Sequence, residues 1–141
     1  MDFIDASRSP KVLLKQKDLH FILIVVMMDF ILTVHGITTN AGYEANPFFE
    51  PLVGSIGGMI IGELLYLGIL LIASYLIVGK IRSVLTSFVF GMHVGGTLTW
   101  LPLIFTSTLG PFLNVFWFLV GATGATSLFY WYFNDRKKQR G

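Results

Sequence analysis

The chain has 141 residues, 54% of them hydrophobic and only 13% charged, with a formal net charge of +2 and a mean hydropathy of +0.71. That balance argues against a soluble domain and for a polytopic membrane protein, with room for four crossings of about 20 residues each and little else. Cysteine is absent, which removes disulfides, thiolate catalysis and thiolate-held clusters.

Residues 1–17, MDFIDASRSPKVLLKQK, carry four of the ten basic residues. Ser9 followed by Pro10 is a cap-then-proline start, so a short interfacial helix over 10–17 is expected, with its lysines against anionic headgroups. The apolar run that follows exceeds a signal-peptide core and lacks a small-x-small cleavage site, so it is expected to be retained. Helix one is predicted over about 18–40, where Asn40-Ala41-Gly42 favours a left-handed stop. Helix two is predicted over about 54–79, helix three over about 83–105 and helix four over about 110–133, before a polar, basic tail of 134–141. The expected fold is all-α: a single domain built as a four-transmembrane-helix bundle.

Basic residues set the expected orientation. Arg8, Lys11, Lys15 and Lys17 precede helix one, Lys80 and Arg82 join helices two and three, and Arg136, Lys137, Lys138 and Arg140 follow helix four. Loops 41–53 and 106–109 hold none, which places both termini in the cytoplasm of a multi-pass cell-membrane protein. Scattered over three short segments, these charges suit lipid contact and not a nucleic-acid site.

Small residues recur at helical spacing: Gly58 with Gly62, Gly91 with Gly95, and Gly121 with Ala125. Such pairs let backbones approach closely in lipid, either within the bundle or against a membrane-protein partner or second copy of the chain. Pro102 is expected to kink helix three, and Phe129 to Phe133 to form an aromatic interfacial belt.

Away from their ends the apolar runs hold four titratable residues, Asp29, His35, Glu63 and His93. At about 1.5 Å rise per residue, Asp29 and His93 each lie about 16 Å from the inner edge, and Glu63 about 13 Å from the outer edge, all near the midplane. At about 100° per residue, Asp29, Thr33, Gly36 and Asn40 share one stripe of helix one, and His93, Gly96, Thr97 and Trp100 one stripe of helix three. His35 points about 120° away from Asp29. Asn114 and Thr123 of helix four could add neutral hydrogen bonds. An acid at membrane depth is a functional-site candidate by default.

Three readings of Asp29, Glu63 and His93 stay open: interhelical hydrogen-bonding glue, a proton or cation relay, and a divalent metal ion held by two carboxylates and an imidazole, a donor set suited to zinc, manganese or iron. No local His-x-x-x-His or Glu-x-x-His spacing favours the metal. In the outer loop, Asn46-Pro47 repeats the cap-then-proline signature, so a turn is expected from Pro47 to Pro51. Glu44 and Asn46 would then face the mouth above Thr33, His35 and Asn40, as a gate or as a plain connector.

The spacing of Asp29 and Thr33, followed by Glu44-Ala45-Asn46-Pro47, resembles a widespread prokaryotic family of small membrane proteins of unknown function. The resemblance spans about residues 19–105. It implies that 29–51 works as one unit, and it implies no activity. The leading expectation is a small membrane protein whose intramembrane site binds a cation or proton. An accessory or assembly subunit of a larger membrane complex is a second reading, and a membrane-embedded metal-dependent enzyme a third. Ser55, before Ile-Gly-Gly, is not a nucleophile elbow.

Overall fold

The computed structural model describes residues 16–40, 50–106 and 111–138. Its elements are four α-helices, α1 (Lys17–Thr38), α2 (Ile56–Leu76), α3 (Gly79–Thr106) and α4 (Pro111–Lys138), with a short 3-10 turn at Glu50–Leu52 ahead of α2. The expected interfacial helix, the outer loop from 41 to 49 with Glu44, Asn46 and Pro47, and residues 139–141 lie outside the described residues.

Local chemistry sets the helix ends. Asn40 has φ 54, the left-handed stop expected there, and its N–H donates to the carbonyl of Ile37 at 3.1 Å. The hydroxyls of Thr38 and Thr39 donate back to the carbonyls of Val34 and His35. Ser55 caps α2, its Oγ accepting from the Gly58 N–H at 3.0 Å, so the helix starts two residues later than expected. Gly79 turns the chain at φ +70, a conformation that favours glycine. It opens α3, which places Lys80 and Arg82 in a first turn and not in a loop. The helix runs through Pro102 to Thr106. α4 continues past the expected boundary to Lys138, so Arg136, Lys137 and Lys138 sit at the negative end of its dipole.

α3 is the central helix, packed along α4 and along α1, while α2 meets the others through side chains more than through close backbone approach. Glycines set the α3–α4 spacing. A Cβ on Gly95 would stand 2.8 Å from the Phe118 carbonyl oxygen, one on Gly121 would stand 2.6 Å from Leu98, and one on Gly91 would overlap Thr126 and Ala122. Gly91, Gly95 and Gly121 are therefore used inside the chain. Gly58 sits against the Leu52 carbonyl and not against a neighbouring helix. Gly62 is buried.

The inner half of the bundle is filled by Ile22, Val26, Leu70 and Phe129, with Leu23, Leu67, Val89 and Phe90 around them. Phe129 stacks on Phe90 with ring centroids 4.3 Å apart, and Phe133 meets Phe129 at 4.5 Å. The expected aromatic belt is thus split. Phe129 and Phe133, four residues apart, face the bundle, whereas Tyr130, Trp131 and Tyr132 are exposed.

Polarity is distributed inside out. Large apolar side chains such as Ile24, Ile31, Ile61, Leu64, Leu65, Ile69, Ile72 and Leu128 are exposed, while Glu63, Ser74, Ser83, Thr86, Ser87 and Thr97 are buried. Among the described residues two helices, α1 and α2, are long and apolar enough to cross a membrane.

At the inner end, Arg82 Nη2 is 2.7 Å from Asp18 Oδ2 and donates to Gln16 Oε1 at 2.8 Å, tying the first turn of α3 to the start of α1. A cation in the first turn of a helix opposes the helix dipole, and Asp18 compensates it. Asp18→Ala should cost about 1–3 kcal/mol by leaving the largely buried guanidinium short of a partner. Thermal unfolding in detergent checks this, with Lys17→Ala as an exposed control that should change little.

Candidate functional site

Three helices converge on the imidazole of His93. Its Nδ1 is 2.8 Å from Asp29 Oδ2 on α1, and its Nε2 is 2.8 Å from the hydroxyl of Tyr66 on α2. Both ring nitrogens are engaged, so the two bonds are linked through the tautomer. If Asp29 is ionised and the ring neutral, Nδ1–H donates to the carboxylate and Nε2 accepts from the Tyr66 O–H. If Asp29 is protonated, its O–H donates to Nδ1, and Nε2–H donates to the phenol oxygen. The ring contact with Tyr66, at 5.3 Å between centroids, holds the imidazole from the side.

The backbone of α3 makes room for the acid. A Cβ on Gly96 would lie 2.6 Å and 2.7 Å from the two Asp29 carboxylate oxygens, so only glycine lets that carboxylate reach His93 along the helix surface. One turn further out the same pair of helices closes again, where the buried Trp100 ring covers Gly36. The stripes expected on helices one and three therefore do face each other. Thr33, on the Asp29 stripe, is half-buried.

Glu63 is buried, one helical turn outward of Tyr66 on α2, and interacts electrostatically with His93 and Asp29. Its Oε1 is buried without a hydrogen-bond partner, as are Asp29 Oδ1 and Thr97 Oγ1.

The expected divalent-metal set of Asp29, Glu63 and His93 does not fit these positions. Among the described residues no three His, Asp or Glu side chains come together closely enough to hold one metal ion. With both its nitrogens in hydrogen bonds, His93 offers no lone pair to a ligand. Of the other expected site residues, His35, Asn40 and Thr123 fall away from the cluster. His35 is exposed, about 120° around α1 from Asp29, Asn40 is exposed at its end, and Glu44 and Asn46 lie outside the described residues. Thr123 is exposed, its hydroxyl donating to the Leu119 carbonyl of its own helix at 2.6 Å, and the side chain of Asn114 lies outside the described residues.

Tyr66 is the member that sequence reasoning missed. The signal was its position three residues after Glu63, hence on the same face of the helix, but a phenol carries no charge near neutral pH and was not counted among the titratable groups of the spans. Comparison with protein-family models, curated proteins and solved structures yields no match. Function must therefore be argued from this geometry.

The Gly96 cradle is testable against a neutral reference. A Cβ on Gly68 would meet nothing within 4 Å, so Gly68→Ala should be neutral or stabilising by up to about 1 kcal/mol through helix propensity. Gly96→Ala should instead lower the unfolding temperature and displace Asp29, visible as a changed His93 ring-nitrogen shift by NMR.

Proposed function

We propose that this protein is a small four-crossing integral membrane protein, both termini cytoplasmic, whose polar centre binds and relays a proton. The observation that carries this reading is the continuous hydrogen-bonded chain Asp29–His93–Tyr66 across three helices. The membrane setting is supported by the apolar exterior and buried polar groups, by two helices able to span, and by the one-sided placement of all ten basic residues.

The chain can move charge without moving atoms far. In one arrangement Asp29 is a carboxylate and the protons sit on Nδ1 and on the Tyr66 oxygen. A proton arriving at Tyr66 from a water lets the original phenolic proton pass to Nε2, while the Nδ1 proton passes to Asp29. One proton enters at α2, one negative charge is neutralised at α1, and the imidazole stays neutral throughout. Reversal returns the proton. Imidazole suits the middle of such a relay, because its two nitrogens accept on one side and donate on the other and its proton affinity lies close to neutral pH.

Loop 41–53 joins α1 to α2 in the sequence, and we propose it as the gate of this centre. The glue alternative predicts no net proton binding.

Two measurements test the proposal. Reporters fused at Gly141 and within loop 41–53 should report opposite sides, Gly141 on the inner one. A Gly141 reporter active on the outer face would refute the topology. Infrared difference spectra of the full chain in liposomes, recorded between acid and alkaline pH, should show a carboxyl band that Asp29→Asn removes from a folded protein. An identical pH response in wild type and Asp29→Asn would leave only the glue reading.

A further inference from the structure

Three oxygens beside the relay have no partner: Asp29 Oδ1, Glu63 Oε1 and Thr97 Oγ1. Glu63 and Thr97 are only 7% and 8% exposed, so neither is solvated in place of a hydrogen bond. Helix register places them in one layer. Tyr66 on α2 bonds His93 on α3. From that bond Glu63 lies three residues outward on α2, about 4.5 Å, and Thr97 four residues outward on α3, about 6 Å. Each shares a face with the residue it follows. Asp29 closes the layer from α1, its carboxylate lying against Gly96, the residue next to Thr97. On the far side of α3, α4 contributes Gly121 and Ala122 at this level and no titratable group.

Charge counting says what such a layer needs. With His93 neutral and both acids ionised, the cluster of Asp29, Glu63 and His93 carries −2. At membrane depth an uncompensated charge is strongly disfavoured, so neutrality takes two monovalent positive charges. The relay accommodates one as a proton. The second must sit where the orphan oxygens are, and those are two carboxylates and a hydroxyl, hard donors with no nitrogen among them.

We infer that Asp29 Oδ1, Glu63 Oε1 and Thr97 Oγ1 form a site for one small monovalent cation of the sodium class, which exchanges with a proton. This deepens the proposed function and rests on it for the relay proton. Hard oxygen donors suit an alkali cation, and three protein oxygens leave the rest of its shell to water. A divalent ion would overshoot the charge once the relay proton is present. With the relay proton in place, sodium in this site and a proton on Glu63 become alternatives for the second charge, which makes the site a point of exchange between the two ions.

The full chain in lipid nanodiscs tests this with radiolabelled sodium at alkaline pH. The wild type should bind sodium saturably, potassium and choline should compete poorly, and acidification should release the label. Thr97→Val should weaken binding about tenfold or more, Thr97→Ser should restore it, and Glu63→Gln should abolish it. A wild type that binds no more sodium than empty nanodiscs overturns the site, and so do Thr97→Val and Glu63→Gln variants that bind like wild type. The two readings fail separately. An Asp29-dependent infrared band without sodium binding overturns this site alone, whereas saturable sodium binding without that band upholds the site and overturns the relay.

Discussion

The hydrogen bonds at the two nitrogens of His93 organise the fold as well as the site. Asp29 could not be buried alone in an apolar bundle, and Tyr66 brings its hydroxyl to the same imidazole. Joined through one imidazole, each satisfies the other, at 2.8 Å on both sides. The bond to Tyr66 also matters because α2 makes few close backbone contacts with its neighbours. Its attachment relies on side chains reaching across, Tyr66 at the polar centre and Leu70 one turn inward, packed with Ile22 and Val26. A polar network of this kind specifies which face of α2 turns inward where apolar contacts alone would be interchangeable.

α3 can serve as the hub because it is poor in large side chains where it must be approached. Gly91 and Gly95 admit α4 on one side and Gly96 admits the Asp29 carboxylate on the other. The adjacent glycines 95 and 96 point about 100° apart, so one short segment serves two neighbours. Closer helices also bring backbone dipoles and hydroxyls near the buried groups. Thr86 and Ser87 close their own hydrogen bonds onto carbonyls one turn back, at 2.8 Å and 2.7 Å, which lets these polar side chains be buried without partners on another helix. Thr97 has no such bond, and that difference marks it as available.

Much of this was legible in the sequence because helix geometry is regular. A rise of about 1.5 Å and a turn of about 100° per residue suffice to put Asp29 and His93 at one depth, and to assign Gly96 and Gly36 to facing stripes. Asn40 as a left-handed stop followed from its short polar side chain. The limits of the reading were equally physical. Depth and face do not fix the distance between helices, so Glu63 could be placed at the right level but not inside or outside a coordination sphere with His93. A count of charges passed over Tyr66, whose contribution is a neutral hydrogen bond. The aromatic run 129–133 was taken as one belt, although a helix must turn two of its five residues toward the core.

Among the described residues, α1 and α2 are the helices long and apolar enough to cross a membrane, and α3 and α4 are the pair joined along their length by small residues. Hydropathy measures composition and cannot tell which neighbour a side chain meets. On α3 the residues that lower the average include Ser83, Thr86, Ser87 and Thr97, all buried, and the glycines that α1 and α4 cover. Its outward-facing positions, Val84, Leu85 and Phe88 among them, remain apolar and exposed. A central helix can therefore give up apolar character on shielded faces without exposing polar groups to lipid, while α1 and α2, with wide outward faces, cannot. Ser83, Thr86, Ser87, Thr97 and the glycines can sit on α3 because its neighbours shield those positions, and a bundle with a polar interior requires one helix of that kind.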